Sequence, residues 1–258
     1  MSFVSNLHGL ASPARFLRLA DRVQPWTGWA AALLIGAGLV VGLGFSPPDY
    51  QQGETVRIMY IHVPSAWMAL FCYATMALAA AAGLIWRHPL AHVIAHGAAP
   101  IGACFTIVCL ATGMLWGKPI WGRWWVWDAR LTSVLILLFL YLGYIALANA
   151  FDNTTRGDRS SAILALVGAV NLPVIKFSVD WWNTLHQPAS VTRIGAPAVH
   201  ESMLAPLLLM AAGFLCLFLT LLFVRVRAGL LARRLRALRH ARAHVPTVGG
   251  MDTGTGLP

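Results

Sequence analysis

Charged residues are scarce in this sequence. Asp, Glu, Lys and Arg make up only 11% of its 258 residues, and 58% of the chain is hydrophobic. Soluble globular domains average ~25% charged residues, because their surfaces must face water. The scarcity excludes an ordinary water-soluble domain and predicts an integral membrane protein.

Acidic residues are the rarest charges. The chain has 9 Asp and Glu against 19 Lys and Arg, which gives a net charge of +10. A soluble protein with this balance would be a candidate for nucleic-acid binding, but no stretch outside the C-terminal tail joins basic density to a composition compatible with water. We therefore expect no nucleic-acid partner, and we interpret the basic excess as a sign of membrane topology.

Several common sequence signals are missing. Cys72, Cys104, Cys109 and Cys216 never form C-x-x-C, which argues against a disulfide framework, a zinc ribbon and thiol exchange. The pattern G-x-x-x-x-G-K-[ST] is absent, so we do not expect this chain to hydrolyse ATP itself. No A-x-A-like site closes the first apolar run, and the first helix is therefore expected to be retained.

Long intervals without charge are abundant. A helix needs ~20 mostly apolar residues to cross the bilayer, and six intervals qualify, each with apolar residues on every face. We predict an all-α polytopic membrane protein with six transmembrane helices. The predicted spans are 23–48, 58–86, 88–117, 131–151, 160–179 and 202–224, the fifth being interrupted by Lys176.

Basic residues between the spans predict the orientation, because short cytoplasmic loops carry the excess of Lys and Arg. Thirteen arginines fall on one side, and five basic residues, Arg57, Lys118, Arg123, Arg130 and Arg193, fall on the other. Both termini are therefore predicted to be cytoplasmic, with one transmembrane domain over 1–224 and a basic tail over 225–258. The tail is either an amphipathic helix on anionic membrane lipids or a segment that only fixes topology, and 247–258 is expected to be disordered.

Tryptophan is concentrated on the predicted outer side. The loop at 116–130, here named the tryptophan loop, reads WGKPIWGRWWVWDAR and holds five of the eleven tryptophans. Trp67, Trp181 and Trp182 join them, whereas an interfacial aromatic belt would populate both membrane faces. We interpret the asymmetry as a surface for a flat, apolar guest. The spacing from 121 to 128 further predicts a short surface helix with one aromatic face.

Two outer histidines complete the pattern. His62 ends the first outer loop and His186 follows the fifth span, and both lie next to aromatic residues. Such a pair suits axial coordination of a planar metallocycle. The cations Lys118, Arg123 and Arg130 suit carboxylates on that guest, and contact with lipid headgroups explains them equally well.

These segments resemble one known family. WGKPIWGRWWVWDARLTS is similar to the "WWD" segment of the cytochrome c maturation proteins that handle haem outside the cytoplasmic membrane. MYIHVPSAW and NLPVIKFSVDWWNTLHQ extend the resemblance over most of the chain. The length and the helix number favour the short haem exporter protein C family (CcmC) over the much longer CcmF family.

The resemblance implies specific roles. His62 and His186 would be the two external axial ligands of haem b. A platform would hold haem and present it to the haem chaperone CcmE, in a complex with CcmA, CcmB and CcmD in the bacterial inner membrane. The platform would consist of Trp116, Gly117, Trp121, Gly122, Trp124, Trp125, Trp127 and Asp128. No catalytic residue is implied, and whether covalent attachment of haem to the chaperone is promoted here stays open.

Other interpretations compete with this one. The chain could be a bis-His membrane cytochrome, or a permease subunit of an exporter whose tryptophan loop docks a partner without haem. His88, His92 and His96 have a spacing that can hold zinc, but we favour histidines that face the interface or a partner, because no carboxylate or thiolate lies between them. Asn171 and Pro173 predict a kink in the fifth span.

Overall fold

The structure, a computed structural model, describes residues 12–88, 90–188, 190–191, 195–196 and 198–243. Within these ranges the regular structure is helical, and six helical segments are long and apolar enough to cross a membrane. The predicted all-α, six-span architecture is confirmed. The segments are Pro13–Phe45, Glu54–Trp86, Ala91–Trp121, Ala129–Asn149, Thr154–Trp181 and Glu201–Arg239.

Seven α-helices make up these six segments. The first segment closes with a π-helical turn at Val41–Phe45, and the second opens with a 3-10 turn at Glu54–Ile58. The fifth segment consists of two helices. The α-helices are α1 (Pro13–Val40), α2 (Met59–Trp86), α3 (Ala91–Trp121), α4 (Ala129–Asn149), α5 (Thr154–Gly168), α6 (Asn171–Trp181) and α7 (Glu201–Ala243).

The break in the fifth segment confirms the predicted kink. α5 ends at Gly168 and α6 begins at Asn171. The Asn171 side-chain amide donates to the Ser133 carbonyl of α4, 2.9 Å away. This bond attaches the start of α6 to α4, and backbone N–H groups at the break are paired by turn hydrogen bonds, from Val170 to the Val167 carbonyl and from Leu172 to the Ala169 carbonyl.

The ends of two helices differ from the predicted spans. α1 begins at Pro13, ahead of the span predicted at 23–48, and therefore includes three arginines that were assigned to a flanking segment. α7 continues past position 224 to Ala243 without interruption. The division between a domain at 1–224 and a tail at 225–258 is therefore not marked by a break in the helix, and the segment 247–258 lies outside the described residues.

α2 and α3 form the centre of the bundle, and α3 is the most buried of the spans. Tyr141 of α4 ties the centre together, because its buried hydroxyl donates to the Ala69 carbonyl of α2 at 2.7 Å. Gly102 of α3 lies against that tyrosine so closely that a Cβ there would be 2.1 Å from the hydroxyl oxygen. The backbones of α2 and α3 thus pack against the Tyr141 side chain of α4. These three helices carry His62 and both ends of the tryptophan loop.

Candidate functional site

His62 lies in the first turn of α2 and faces α3. Its Nδ1 is 3.0 Å from the Cys109 carbonyl oxygen and 3.1 Å from the Thr112 hydroxyl. A carbonyl oxygen only accepts hydrogen bonds, so Nδ1 carries the proton and donates it. Nε2 is then the nitrogen with a free lone pair, which is the form of histidine that binds a metal.

His186 follows α6 and has the same internal arrangement. Its Nδ1 donates to the Gln187 carbonyl at 2.9 Å, and its backbone N–H donates to the Thr184 hydroxyl at 3.0 Å. Nε2 again keeps its lone pair. Both histidines, 124 positions apart in sequence, therefore have Nδ1 held by a backbone carbonyl and Nε2 free.

The environment of His186 favours its neutral form. Burial lowers the pKa of His186 below its usual value, and the positive charge of Arg130 lowers it further. The hydrogen bond to the Gln187 carbonyl and the charge of Asp128 oppose these effects. A histidine that stays neutral is a better ligand, because the proton competes with a metal for the same lone pair.

Trp116 lies beside His62. The two rings meet edge to face, with centroids 5.6 Å apart, and the indole N–H of Trp116 donates to the side-chain oxygen of Gln52 at 2.9 Å. Gln52 belongs to the loop between the first and second segments, where the Asp49 carboxylate accepts from the N–H groups of Gln51 and Gln52, both at 2.9 Å. This loop, predicted to be on the outer side, therefore positions the tryptophan that contacts the histidine.

Sequence reasoning missed Gln52 and Asp49. The available signal was the turn signature, an Asp shortly before Gly53, because Asp side chains commonly bond backbone N–H groups in tight turns. That signal predicts a turn and gives no information about its partner. The contact between Gln52 and Trp116 depends on the packing of the first loop against α3.

Two glycines on α3 accommodate the aromatic rings. A Cβ at Gly113 would be 3.1 Å from Cε1 of His62, and a Cβ at Gly117 would be 2.9 Å from the Trp121 ring. Both contacts are closer than ordinary van der Waals contact at ~3.5–4.0 Å. The predicted site residue Gly117 therefore provides space for Trp121.

The surface helix predicted over 121–128 is wrong. α3 continues to Trp121 and ends at Gly122, whose φ of +72° is the left-handed conformation that terminates helices. The chain then has no helical conformation until Asp128, whose carboxylate caps α4 by accepting from the Leu131 N–H at 2.8 Å. The helical spacing was coincidental, because Gly122 and Asp128 are stop and start signals that interrupt it.

The tryptophan loop nevertheless displays aromatic surface. Trp127 is 75% exposed and Trp124 is 54% exposed, while Trp125 is partly buried and its ring packs edge to face on Trp127 at 5.4 Å. Trp181 and Trp182, at the end of α6, are also exposed, and their ring centroids are 5.7 Å apart. Flat apolar surface is therefore available on the two segments that carry the site.

The predicted cations have different roles. Arg130 points into the bundle, where it donates to the Ser178 hydroxyl at 3.0 Å and to the Lys176 carbonyl at 3.3 Å. Lys118 donates to the Gly122 carbonyl at 3.2 Å and lies 5.9 Å from the centre of the Trp124 ring. Arg123 is exposed in the turn after α3, and Arg193 lies outside the described residues.

Arg57, also expected to be outside, is engaged in the first loop. It pairs with Glu54 at 2.7 Å, and its guanidinium donates to the carbonyl of Leu43 and, at 3.1 Å, to that of Ser46. Arg57 thus holds the π-helical end of the first segment against the 3-10 turn. Among the described residues, Lys118 and Arg123 are the predicted cations that remain on the surface of the tryptophan loop.

A cavity of about 490 Å³ adjoins the site. Its wall includes Trp116, Gln52 and Gln187, together with His200. His200 differs from the two site histidines, because its Nδ1 accepts from the Ser202 backbone N–H at 3.3 Å. His200 therefore presents a protonated Nε2 and is not a ready metal ligand in this form.

The histidines at 88, 92 and 96 do not form a metal centre in the part of the chain that the structure describes, where no group of three or more metal-binding side chains occurs. His96 contacts Asp158 instead, with Nε2 2.6 Å from the carboxylate. His96 thus contacts a residue of its own chain, and the interpretation of the three histidines as facing the interface or a partner stays a prediction.

Comparison with known proteins gives a family. The family described as "Heme exporter protein C" matches residues 6–241. A protein of that name from Bradyrhizobium diazoefficiens is 55% identical over 234 residues, covering 91% of this chain and 89% of its own length. The protein of that name from Escherichia coli strain K12 is 48% identical over 221 residues (86% and 89%), and the one from Paracoccus denitrificans is 42% identical over 229 residues (88% and 95%).

Proposed function

Because the chain belongs to the haem exporter protein C family, we propose that it binds haem b at the outer face of the bacterial inner membrane and delivers it to the chaperone CcmE during cytochrome c biogenesis. The proposal takes haem as a cargo held between arrival and transfer. It places the protein in a complex with CcmA, CcmB and CcmD.

One observation carries the proposal. Two histidines from separate parts of the chain each donate Nδ1–H to a backbone carbonyl, Cys109 for His62 and Gln187 for His186. Histidines that bind metals almost always donate their other ring N–H to such an acceptor, which fixes the ring and its tautomer. Both rings are thus prepared to offer Nε2 to iron, next to exposed tryptophan surface.

Other residues of the site complete the recognition of haem. Trp124 and Trp127 offer apolar surface to the macrocycle, and Trp116 supports the His62 ring. Arg123 and Lys118 are the cations within reach of propionates on the same loop. The positive charge of Arg130 helps to lower the pKa of His186.

Holding haem in this way favours transfer over chemistry at the iron. Two imidazole ligands fill both axial positions, so small molecules do not reach the iron while the porphyrin edge stays exposed for the chaperone. Release then requires that His62 or His186 be exchanged. The site contains no residue to which we assign a catalytic role, and covalent attachment to the chaperone is treated as the chaperone's reaction.

A transfer experiment tests the proposal. The protein purified from haem-replete cells is expected to show the absorption spectrum of low-spin bis-His haem and to label added CcmE with haem that resists denaturing electrophoresis. Protein that co-purifies with the chaperone but contains no haem would favour the permease alternative. Haem that quinol reduces reversibly, without transfer to the chaperone, would favour the membrane cytochrome.

The lowered pKa of His186 predicts the pH dependence of haem binding. At a pH below its pKa in the folded protein, a histidine is protonated and loses its metal-binding lone pair. A lowered pKa therefore moves the loss of iron ligation to lower pH. The low-spin spectrum is therefore expected to persist below pH 6.5, the ordinary value for histidine. A His186→Gly variant supplied with free imidazole is the control, since that imidazole titrates in water. Loss of both spectra at the same pH would contradict the effect of burial.

A further inference from the structure

A buried polar cluster lies at the other end of the bundle, on the predicted cytoplasmic side. Its centre is Asp158 of α5, whose side chain is only 14% exposed. His96 of α3 contacts one carboxylate oxygen at 2.6 Å, and Arg233 of α7 donates to the other at 3.0 Å. Three helices therefore meet at one carboxylate, and the haem site takes no part in this contact.

The remaining groups around Asp158 come from α3 and α4. Tyr144 is 1% exposed, and its ring is 5.6 Å from His96. His92 also faces the cluster and leaves Nδ1 unpaired within the same part of the chain. Among the described residues of this cluster Asp158 is the one acidic group, so it alone neutralises the charge of Arg233 there. A buried carboxylate of this kind is stable only while its partners remain.

Arg233 belongs to the part of α7 that continues beyond the predicted span. The helix contacts the bundle as far as this residue, through an ion pair between Arg227 and Asp21 of α1 and through Gly229, where a Cβ would be 2.9 Å from Val93. From position 234 to 239 every residue is exposed. Residues 234–243, here named the arm, therefore extend past the last contact.

The arm has a composition suited to a particular surface. It contains four arginines and no acidic residue, and Leu235 and Leu238 are 49% and 59% exposed. Leu231, one turn before Leu235, is 53% exposed. Leucines spaced three and four residues apart lie on one helix face, and a basic helix with an apolar face binds anionic lipid at the membrane interface.

A continuous straight helix cannot leave the bilayer and also lie flat on it. To reach the lipid surface, α7 must bend between its last membrane-spanning residues and the arm. Gly229 is the residue at which the bend is easiest, since glycine is the weakest helix former apart from proline. The contact between Arg233 and Asp158 lies beyond Gly229, so it holds the helix straight across that position.

We propose that the ion pair between Asp158 and Arg233, here named the lock, holds α7 straight. When Arg233 is released from Asp158, α7 bends at Gly229 and the arm lies on an anionic lipid surface. While the ion pair is formed, the arm projects from the bundle. When it is broken, lipid phosphates replace Asp158 as the counterion of Arg233 and also pair with the arginines of the arm, and the leucines of the arm enter the membrane interface.

Spin labelling of the arm tests the lock. A label at Leu238→Cys, in a chain whose four native cysteines are replaced by alanine, is placed in nanodiscs of phosphatidylcholine alone or with phosphatidylglycerol. The accessibility of the label to oxygen and to a water-soluble nickel chelate then shows whether the label is immersed in lipid. The native sequence is expected to keep the label in water in both lipids, and Asp158→Asn is expected to raise the oxygen-to-nickel accessibility ratio several-fold in the anionic discs alone.

Three further variants make the outcome decisive. Asp152→Asn removes an exposed acid just before α5 and is expected to behave like the native sequence. Arg233→Gln breaks the ion pair but leaves the contact between Asp158 and His96 in place. It is expected to give the same accessibility ratio as Asp158→Asn, and it provides the test if Asp158→Asn folds poorly. Exchange of the charges, Asp158→Arg with Arg233→Asp, is expected to restore the projecting arm. An unchanged ratio in both single variants, or immersion in neutral discs as well, would overturn the proposal.

Discussion

Replacing His62 and His186 together by alanine is expected to remove the low-spin haem spectrum of the purified protein and reduce its haem content by more than tenfold. Both residues are proposed to supply iron ligands, and the loss of supporting groups around metal ligands alone commonly costs about 10–100-fold in affinity. Removing the ligands themselves is expected to cost at least as much. The measurement is the absorption spectrum together with the haem-to-protein ratio after purification in detergent.

The two single variants and a matched control sharpen this test. Each single variant is expected to retain haem in part, through the remaining histidine and the tryptophan surface, with a high-spin or mixed spectrum that added imidazole restores. His200→Ala is the control, because His200 is also an outer histidine but has an Nδ1 that accepts a hydrogen bond. A double variant with an unchanged spectrum would eliminate His62 and His186 as ligands, and with them the central claim of the proposed function.

The six spans and the two histidines could be predicted from the sequence because their signals are local. A charge-free interval of sufficient length reports a span without any knowledge of its neighbours. His62 and His186 stood out because each adjoins aromatic residues at a predicted outer boundary. Their closeness in space was expected only from the shared side of the membrane, and it stays a prediction.

The tertiary contacts of the site could not be predicted in the same way. The contact between Gln52 and Trp116 joins residues 64 positions apart, and no periodicity reports such a pairing. Arg130 was expected to face the guest, whereas it bonds α6. A basic residue next to a helix start has the same local sequence whether it points outward or inward, so the direction is decided by the packing of α4 on α6.

One error arose because periodicity was extended across a terminator. The helix predicted over 121–128 ignored Gly122, which adopts the left-handed conformation. The membrane span predicted to end at position 224 was placed by hydropathy, and the helix itself continues beyond it, since the sequence from 225 to 243 contains no proline and only one glycine. The change in hydropathy marks a change of solvent, and a helix passes through that change unless a residue ends it.

Gly102→Ala is expected to destabilise the bundle more than any other glycine-to-alanine substitution in the site-bearing helices. The added Cβ would be 2.1 Å from the Tyr141 hydroxyl and 2.2 Å from its ring carbon Cζ. The rigid ring cannot move away without giving up its hydrogen bond to Ala69. Overpacking of a core costs about 1–3 kcal/mol, and the loss of a buried hydrogen bond adds on the order of 1 kcal/mol.

The expected result is a fall in the midpoint of thermal unfolding on the order of 5–10 °C, from the size dependence of such shifts, measured in detergent by fluorescence-detected size exclusion. Gly36→Ala is the matched control, since among the described residues no other helix places an atom within 4 Å of a Cβ there, and it is expected to be neutral or slightly stabilising. An equal midpoint for both variants would contradict the close packing of α3 on α4.

The same variant separates the fold from the ligands. Gly102 and Tyr141 lie in the helix centre, away from the outer ends where His62 and Trp116 meet, so Gly102→Ala removes no group that is proposed to touch haem. Below its lowered midpoint the variant is expected to bind haem with the native low-spin spectrum, and above it to lose haem and folded protein together. The double histidine variant should show the reverse, a native-like midpoint without haem. If Gly102→Ala instead gave a stable protein with an altered spectrum, the contact between α3 and Tyr141 would have to set the geometry of the haem ligands themselves.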